Sequence, residues 1–590
     1  MEKIHRFNNK EVVAILKEML AAMEVKDFNK FRVRAYSNAI SAIDNLTSSV
    51  YDLWENHRLG EIPGVGPGLE AHLDELFKTG DVVEYKEVKK DLPQGMFVLI
   101  GIRGIGAKKA FKLANAFKLT DRETAIEKVR EAAEAGRIRV IESFGEKSEK
   151  DILDAITESK LHKAVKPRLL LYQAEEIAER IITYMKELDY VSDVTALGSL
   201  RRRMATVGDL DIAVCSTNSE GAIEHFVKFP EIHEIVVRGE QRVGCRLKND
   251  IQVDLRVTNS KAYGAMLQYF TGSKQHNVLL RQFALDKKLS LNEYGIKDLN
   301  NKSKMLEFPD EKTFYNKVGL DYIPPELRQG KDEIEKAKTH KLPQLVELSE
   351  IKGDIHTHTV ASDGVNTLEE MLFAAKRLKY EYFGIADHAP SVQTRGYDMV
   401  ADIIKTQKER FAKINESEKN IKLLFGYEVN ILADATMQLP DELLAQLDYV
   451  IASLHTSLDQ DRATITNRLV KALENPYVTI IGHPSGRLIN SREGADIDWN
   501  KVFDAAEANH KILEINSQPQ RLDLADDLVR DAIDRGIKLI INTDSHDTES
   551  LLMMKYGIDV ARRGFAEAKN IINTLPYEEF MKEIQKSMKR

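Results

Sequence analysis

The second half of the chain repeats one pattern: a short apolar run of strand length, then a segment of helix length. The runs are KGDIHTH (352–358), YFGIADH (382–388), KLLFGYEVN (422–430), YVIASLH (449–455), VTIIGH (478–483), KILEINS (511–517) and KLIINTDSH (538–546). Strands that alternate with helices run parallel, because each helix carries the chain back to the end at which the strand began. The pattern therefore predicts a parallel β/α barrel of seven strands.

Histidine and carboxylate residues stand at or just beyond the ends of these runs. They are His356, His358, Asp363, His388, Glu428, His455, His483, Asp544 and His546. Residues two apart on a strand face the same side, and the strand ends of a parallel barrel converge on one face. A lone histidine would be an ordinary core or surface residue, but six of the chain's 15 histidines follow this pattern. Imidazole and carboxylate ligands in this number suit two or three ions of Zn²⁺, Mn²⁺ or Fe.

A second set of carboxylates stands in the strand-like region 166–258. Asp209 and Asp211 alternate with the apolar Leu210 and Ile212, so one strand would present its carboxylates on one face. Asp254 in IQVDLRV repeats the pattern. Three carboxylates on adjacent strands form the hard oxygen site that Mg²⁺ prefers.

The segment before these aspartates, GSLRRRMATVGDLDIAV, combines small and positively charged residues. Gly198 and Ser199 begin a loop, and Arg202 follows within it. An arginine run alone is more often a solvated surface. Next to a carboxylate metal site, however, this combination suits a triphosphate.

The first 160 residues show helical periodicity and contain two Gly-apolar-Gly turns. The turns are Gly64 to Gly66 in IPGVGPGLEAHL and Gly104 to Gly106 in LIGIRGIGAKKAFKL, where Lys108 follows. Each turn stands at the start of a helix-forming run, where free backbone N–H groups can bind a DNA phosphate without reading its sequence. One such turn indicates little, but two predict a DNA-binding region.

Composition bounds the class of protein. At 590 residues the chain predicts several domains, and no segment approaches the ~20 unbroken apolar residues of a membrane span. Cys215 and Cys245 are too few for a disulfide framework, which favours a reducing cytoplasm. The net charge of -8 does not exclude a nucleic-acid partner, because carboxylates that bind metal ions are neutralised.

Residues 349–590 resemble the polymerase and histidinol phosphatase (PHP) domains. The resemblance comes from HTH with Asp363, GYEVN with SLH, GHP, and TDSH. It implies a distorted (β/α)7 barrel that hydrolyses phosphoesters with up to three ions, here Mn²⁺ or Zn²⁺. The implied ligands are His356, His358, Glu428 and Asp544 for one ion, Glu428, His455 and His483 for a second, and Asp363, His388 and His546 for a third.

The first half resembles the family X DNA polymerases. The palm-like segment and YFTGSKQHNVLLRQFALDKKLSLNEYG, which is similar to the thumb, carry the resemblance. It implies catalysis by Asp209, Asp211 and Asp254 with Mg²⁺. The implied nucleotide contacts are Gly198, Ser199, Arg202, Tyr269, Phe270, Gly272, Asn277 and Arg281; Lys274 replaces an acidic residue of vertebrate members. The turns resemble helix-hairpin-helix elements of this family, which implies DNA contacts at Gly64, Gly66, Gly104, Gly106 and Lys108.

The expected fold is a multidomain α/β protein. Its expected parts are a helical DNA-end-binding domain with the first hairpin (1–90), helical duplex-binding fingers with the second (91–165), a mixed-sheet nucleotidyltransferase palm (166–258), a small thumb (259–325), a linker (326–348) and a PHP phosphoesterase barrel (349–590).

The expected function is a template-directed, gap-filling repair DNA polymerase coupled to a metal-dependent 3′-5′ exonuclease or 3′-end-processing phosphoesterase. The expected partners are gapped or primer-template DNA and dNTPs, with no membrane, and the expected state is a monomer. Two alternatives stay open. One is an untemplated nucleotidyltransferase joined to a small-phosphoester phosphatase, and the other is a non-catalytic scaffold that binds DNA ends.

Overall fold

The computed structural model of the protein describes residues 7–44, 46, 50–55, 57–102, 104–161, 168–300 and 305–588. The chain divides into two compact units, Met1–Pro167 and Arg168–Arg590. Within the described ranges, none of the helices combines the length and the apolar character that crossing a membrane requires.

The first unit is helical, as its apolar periodicity predicts. Its helices are α1 (Asn9–Val25), α2 (Lys30–Asp44), α3 (Val50–Glu55), α4 (Pro67–Thr79), α5 (Val83–Lys89), α6 (Gly95–Leu99), α7 (Ala107–Ala116), α8 (Arg122–Glu134) and α9 (Glu146–Leu161). A capping box begins α1, in which the Asn8 side chain accepts from the Glu11 backbone N–H at 3.0 Å. The two glycine turns stand immediately before α4 and α7.

The second unit opens with a mixed five-stranded sheet, the palm. The elements of this region are β1 (Leu169–Leu170), α10 (Leu171–Met185), β2 (Val191–Ala196), α11 (Gly198–Arg201), β3 (Thr206–Val207), β4 (Leu210–Ser216), α12 (Ser219–Phe226), β5 (Ile232–Arg238), β6 (Arg242–Leu247) and β7 (Gln252–Thr258). β1 and β3 pair with each other in a separate two-stranded sheet, and the other five strands form the palm sheet. The strand order is β2-β4-β7-β6-β5, in which only β4 and β7 pair in parallel. Leu210 and Ile212 are fully buried, as the alternation of β4 predicts.

The thumb follows the palm and includes a three-stranded sheet of order β10-β9-β8. Its elements are α13 (Tyr263–Thr271), α14 (Lys274–Asp286), β8 (Leu289–Asn292), β9 (Gly295–Asp298), β10 (Met305–Leu306), α15 (Glu311–Val318) and α16 (Glu333–Lys338). Residues 326–348, expected as a linker, contribute Leu327, Ile334 and Leu345 to the thumb core. The buried Arg328 also pairs with Glu311 at 2.6 Å, so this polar stretch packs against the thumb along much of its length.

The seven predicted strands of the second half form one parallel sheet in sequence order. They are β11 (Gly353–Asp354), β12 (Tyr382–Ile385), β13 (Lys422–Asn430), β14 (Tyr449–Ser453), β15 (Ile480–Gly482), β16 (Ile512–Asn516) and β17 (Leu539–Asn542). The helices are α17 (Leu368–Arg377), α18 (Val392–Arg395), α19 (Tyr397–Ser417), α20 (Asp441–Leu444), α21 (Arg462–Glu474), α22 (Trp499–Ala508), α23 (Asp526–Asp534), α24 (Met554–Arg563) and α25 (Tyr577–Ser587). The expected barrel and mixed palm are thereby confirmed.

The barrel closes between its first and last strands through a backbone bridge and several side chains, among them Asp354, Asn542 and Asn573. Thr357 and Ser545 form an isolated parallel bridge. Below it the Asn573 side chain donates to the carbonyls of Gly353 at 2.8 Å and Ile541 at 2.6 Å, and accepts from the Ile541 N–H at 3.1 Å. Asn573 therefore satisfies backbone groups of β11 and β17 that have no strand partner there.

Candidate metal centres and nucleic-acid surfaces

The barrel mouth brings the nine predicted ligands together. Ligand atoms within 4.8 Å of one another form the groups His358, Asp363, His388 and His546; His356, His358 and Glu428; His356, His483 and Asp544; and His388, Glu428 and His455. The groups share members, so they form one continuous cluster. His356 and His358 lie just past the short strand β11, and their rings are still only 5.3 Å apart.

Glu428 stands at the centre of this cluster. Its Oε1 lies 2.8 Å from His483 Nε2 and 3.2 Å from His455 Nε2. Its Oε2 lies 3.1 Å from His388 Nδ1 and 3.7 Å from His358 Nε2. The two oxygens of Glu428 thus face different histidines, an arrangement that would let this carboxylate help to hold more than one ion, as the family resemblance implies.

Several histidine nitrogens in the cluster are buried and have no hydrogen-bond partner. These atoms are His356 Nε2, both ring nitrogens of His358, and His483 Nδ1. Buried polar atoms are normally hydrogen-bonded, because leaving one unpaired costs about 1–3 kcal/mol. Unpaired imidazole nitrogens beside carboxylates are donors suited to a divalent ion, so the residues fit the expected metals.

The charges at the mouth favour a cation. Burial acts to lower the pKa of His356, but Glu514, Asp544 and Glu428 raise it well above its ordinary value. Burial likewise acts to raise the pKa of Glu428, and the neighbouring histidines, His356 foremost, lower it strongly. The cluster thus keeps its carboxylate ionised and stabilises positive charge at its centre, as a metal ion would supply.

Two orienting residues escape the sequence pattern. His356 Nδ1 donates to Glu514 Oε1 at 2.7 Å, and His455 Nδ1 donates to Asn430 Oδ1. These bonds direct each Nε2 toward the cluster, as orienting partners of metal-bound histidines do. In the sequence, the one indication of Glu514 is that it is a carboxylate inside the apolar run KILEINS, which marks a buried carboxylate but does not identify its partner.

The palm aspartates occupy neighbouring strands in register. Asp211 on β4 is the parallel partner of Asp254 on β7, and the exposed Asp209 directly precedes β4. Gly198 lies so close that a Cβ there would meet Asp211 Oδ2 at 2.8 Å. The open face beside these carboxylates is therefore bordered by the glycine turn, as the sequence pattern suggests.

The three palm aspartates do not converge as closely as the barrel ligands do. Among the described residues, the groups of ligand atoms within 4.8 Å of one another lie at the barrel mouth, and the palm aspartates form no such group. Asp254 accepts from Arg242 Nη2 at 2.9 Å and from Gln252 Nε2 at 2.9 Å. Burial is the largest cause that raises the pKa of Asp211 to about 6, and the negative charges of Asp209 and Asp254 act in the same direction.

The predicted nucleotide contacts lie along α11, α13 and α14. Arg202 Nη1 donates to the Thr271 carbonyl, and the rings of Tyr269 and Phe270 are 4.9 Å apart. Arg281 lies over the Tyr269 ring at 5.0 Å, and the Asn277 amide donates to the Tyr269 carbonyl at 2.7 Å. These contacts connect Arg202 to α13 and connect Tyr269, Asn277 and Arg281 to one another. Ser199 lies on α11.

Both glycine turns leave a helix N-terminus without a side-chain cap. Gly66 caps α4 and Gly106 caps α7, in neither case with a side-chain hydrogen bond. Gly64 has φ of 90°, and a Cβ there would meet the Ala39 backbone nitrogen at 2.8 Å, so the turn requires glycine. Lys108 pairs with Asp27 at 2.7 Å on the exposed surface.

His72 occupies the helix after the first hairpin and is fully engaged. Its Nδ1 lies 2.8 Å from the Tyr36 hydroxyl, and its Nε2 lies 2.9 Å from Glu84 Oε2. The nearby exposed lysines also have carboxylate partners: Lys78 pairs with Asp74 at 2.8 Å and Lys86 pairs with Asp81 at 3.0 Å.

Three family models match the chain. The helix-hairpin-helix domain matches residues 7–82, the DNA polymerase beta thumb matches residues 266–329, and the PHP domain matches residues 354–518. These matches cover hairpin, thumb and barrel regions described above.

Known proteins match both the whole chain and the barrel alone. The DNA polymerase/3′-5′ exonuclease PolX of Bacillus subtilis (strain 168) is 32% identical over 585 residues, which cover 99% of this chain and 100% of that protein. A probable phosphatase of Acetivibrio thermocellus is 29% identical over 202 residues, 33% of this chain and 78% of its own length. One from Caldanaerobacter subterraneus subsp. tengcongensis is 30% identical over 204 residues, 33% of this chain and 75% of its own. The full-length match, with the matched hairpin, thumb and barrel, shows that the chain belongs to the PolX family, the family X DNA polymerases that carry a PHP domain.

Proposed function

We propose that this protein is a template-directed DNA polymerase that fills short gaps in repair, and that its barrel is a 3′-5′ exonuclease or 3′-end-processing phosphoesterase. The observation that supports the proposal is that one unit contains two separate sets of side chains suited to metal ions. One is the aspartate pair of β4 and β7 beside Gly198, and the other is the cluster of unpaired imidazoles and carboxylates at the barrel mouth. The name of the Bacillus subtilis relative, DNA polymerase/3′-5′ exonuclease, supports both activities.

Both sites are assigned to divalent ions. We assign Mg²⁺ to Asp209, Asp211 and Asp254, because an all-oxygen site suits that hard ion. We assign Mn²⁺ or Zn²⁺, up to three ions, to the imidazole-rich mouth. When bound, such ions offset the charge of phosphate oxygens and lower the pKa of a nearby hydroxyl or water.

The chain's own residues would orient the polymerase substrates. Arg242 and Gln252 hold the Asp254 carboxylate, so that its orientation is set before substrate binds. We assign the triphosphate to the turn at Gly198 and Ser199 and to the guanidinium of Arg202.

The base and sugar of the incoming nucleotide are assigned to the thumb side. Tyr269 and Phe270 would flank the sugar, Gly272 would let the nucleotide approach, Asn277 would reach the base edge, and Arg281 would lie near the template. The hydrogen bond from Asn277 to Tyr269 and the position of Arg281 over the Tyr269 ring support a shared, ordered surface.

The helical unit is assigned to DNA. At Gly64 to Gly66 and Gly104 to Gly106, uncapped N–H groups would bind phosphates, and Lys108 adds positive charge beside the second turn. These contacts go to the backbone, so they would position DNA without selecting its sequence.

One assay separates this proposal from its rivals. A labelled gapped duplex is incubated with the protein and Mg²⁺ or Mn²⁺, with and without dNTPs. We expect extension that follows the template when dNTPs are present, and shortening from the 3′ end when they are absent. Extension without a template would favour the untemplated transferase, and binding without any turnover would favour the scaffold.

The raised pKa of Asp211 predicts how metal binding depends on pH. The metal-free carboxyl is protonated below about pH 6, and an ion must displace that proton, so Mg²⁺ affinity should fall as pH falls. Well below pH 6 we expect roughly a tenfold loss per pH unit. Calorimetric titration with Mg²⁺ from pH 8 to 5 measures this, with a parallel titration of Asp254→Ala subtracted to remove binding at the barrel. An affinity that is flat across the range would contradict it.

The engaged His72 predicts little 5′-deoxyribose phosphate lyase activity. In the vertebrate family X members that this domain resembles, a Schiff-base lysine lies on the helix after the first hairpin, and the matching position here is His72. A Schiff base needs an unprotonated primary amine, whereas His72 carries an imidazole and the nearby Lys78 and Lys86 pair with carboxylates. Borohydride treatment of the protein on an incised abasic duplex should therefore trap little covalent adduct. An abundant adduct mapped to residues 60–90, lost when Lys78 and Lys86 are both changed to arginine, would overturn this expectation.

A further inference from the structure

Helix α24 of the barrel lies between the barrel sheet and the palm. On the barrel side, Gly557 packs so tightly that a Cβ there would lie 2.2 Å from Ser517 Oγ, just past β16. On the palm side, polar groups of α24 bond to Glu175 and to the turn at Arg202 and Arg203. The helix therefore connects the phosphoesterase sheet directly to a turn of the polymerase.

The last residue of α24, Arg563, holds the backbone of that turn. Its Nη1 donates to the Arg202 carbonyl at 2.9 Å, and its Nη2 donates to Asp526 at 2.5 Å. Arg563 is only 7% exposed. Arg202 is the C-cap of the short helix α11, where carbonyls lack partners within the helix. Arg563 thus satisfies a carbonyl that the palm's own helix leaves unpaired.

The next palm residue is also held by α24. Arg203 has φ of 57°, a left-handed conformation that is uncommon for a residue with a side chain. Its guanidinium pairs with Glu175 of the palm and lies 3.5 Å from Asp559 of α24. Glu175 also accepts from Tyr556 at 2.9 Å and from Lys555 at 3.0 Å. Surrounding contacts of this number are what keep such a backbone conformation in place.

The conformation of this turn decides where the Arg202 side chain points. The Arg202 guanidinium bonds to the Thr271 carbonyl, and a Cβ on Gly272 would come within 3.2 Å of its Nη1. Arg202 is thus placed from two sides, by α13 at its head group and by Arg563 at its backbone. Functional groups must be held within about 0.5 Å of their working position, so the backbone support matters as much as the head-group contact.

We propose that Arg563 is a positioning residue of the polymerase: it holds the Arg202–Arg203 turn so that Arg202 can bind the triphosphate of the incoming nucleotide. This inference rests on the proposed function of the palm. It makes a residue of the phosphoesterase barrel a determinant of dNTP affinity.

The test compares Arg563→Gln and Arg563→Lys with the wild-type protein. KM and kcat for dNTP are measured on a gapped duplex, with Mn²⁺-dependent hydrolysis of bis-p-nitrophenyl phosphate and the melting temperature as separate readouts. We expect Arg563→Gln to raise KM about tenfold, the effect of one lost hydrogen bond to a charged group, with kcat within about twofold. Arg563→Lys should give an intermediate KM, with hydrolysis and melting temperature near wild type. If Arg563→Gln does not fold, the KM of Arg563→Lys tests the proposal.

The matched control is Arg562→Gln. Arg562 is the preceding arginine of the same helix and also bridges elements, to Glu326 at 2.9 Å and to the Val346 carbonyl at 3.1 Å, but it does not bond to the turn. Its KM should stay at the wild-type value. An unchanged KM in both Arg563 variants, an equal rise in Arg562→Gln, or parallel losses of both activities and of melting temperature would overturn the inference. A wild-type protein that adds no nucleotide would instead contradict the proposed function, and calorimetric dNTP binding would still test Arg563.

Discussion

Asp254→Ala is expected to slow nucleotide addition by at least about a thousandfold, while phosphoester hydrolysis at the barrel stays within about twofold of wild type. The loss corresponds to ~4 kcal/mol of transition-state stabilisation, a reasonable share for a misplaced catalytic ion. Removal of this carboxylate also leaves the Arg242 guanidinium without the carboxylate that it contacts at 2.9 Å. Single-turnover extension of a gapped duplex measures the effect, and Asp209→Ala should behave in the same way.

The matched control is Asp193→Ala. Asp193 is an exposed carboxylate on β2 of the same sheet, and its side chain accepts from the Val194 N–H. Extension by this variant should match wild type. The assignment of Asp254 fails if its alanine variant extends a primer at a rate near that of Asp193→Ala.

His358→Ala should abolish hydrolysis at the barrel mouth, by at least about a thousandfold, and spare polymerisation. Both ring nitrogens of His358 are buried without a hydrogen bond, and its Nε2 lies 3.2 Å from Asp544 Oδ1. His358 belongs to two of the ligand groups at the barrel mouth, so the variant removes a candidate metal ligand from both. Asp544→Ala should act alike. Elemental analysis of the purified protein should show at least about one ion fewer per chain.

The metal ion itself provides a second readout of this site. Because imidazole ligands favour the softer ion, Mn²⁺ should support hydrolysis better than Mg²⁺ in a stripped preparation. His510→Asn, a change at an exposed histidine of the same barrel, serves as the control and should leave hydrolysis and metal content unchanged. Full hydrolysis by His358→Ala, or equal support by Mg²⁺, would count against the assignment.

The sequence predicts the barrel strands well, for a physical reason. Six of the seven strands contain or are followed by a predicted ligand, such as Glu428 on β13 and His455 after β14, so the sequence shows both the apolar strand and its polar end. The same holds in the palm, where Asp211 and Asp254 alternate with buried residues and are now seen side by side. The catalytic and binding roles of these residues stay predictions.

What the sequence does not reveal depends on contacts between distant segments. Glu514 orients His356 from a strand 158 positions away in the chain, and nothing local distinguishes it from any buried carboxylate. Residues 326–348 look like a linker because the stretch is polar and interrupted by proline, yet Arg328 and Glu333 are buried, where Arg328 pairs with Glu311 and Glu333 lies 2.8 Å from His276 Nδ1. The role proposed for Arg563 likewise depends on its contact with the palm turn, which the local sequence does not indicate.

The closure of the barrel by Asn573 has a consequence for synthesis on the ribosome. Asn573 joins β11 to β17, so the contacts that complete the edge of the first strand require a residue that is synthesised much later. At the usual 5–20 residues per second, the roughly 200 residues from His356 to Asn573 take about 10 to 40 s to translate. The open edge of β11 has no partner until β17 and the residues just after it emerge near the end of that interval, and the ligands Asp544 and His546 emerge at the same late stage. A growing chain therefore cannot complete the ligand cluster at the barrel mouth until the palm and thumb have already been synthesised.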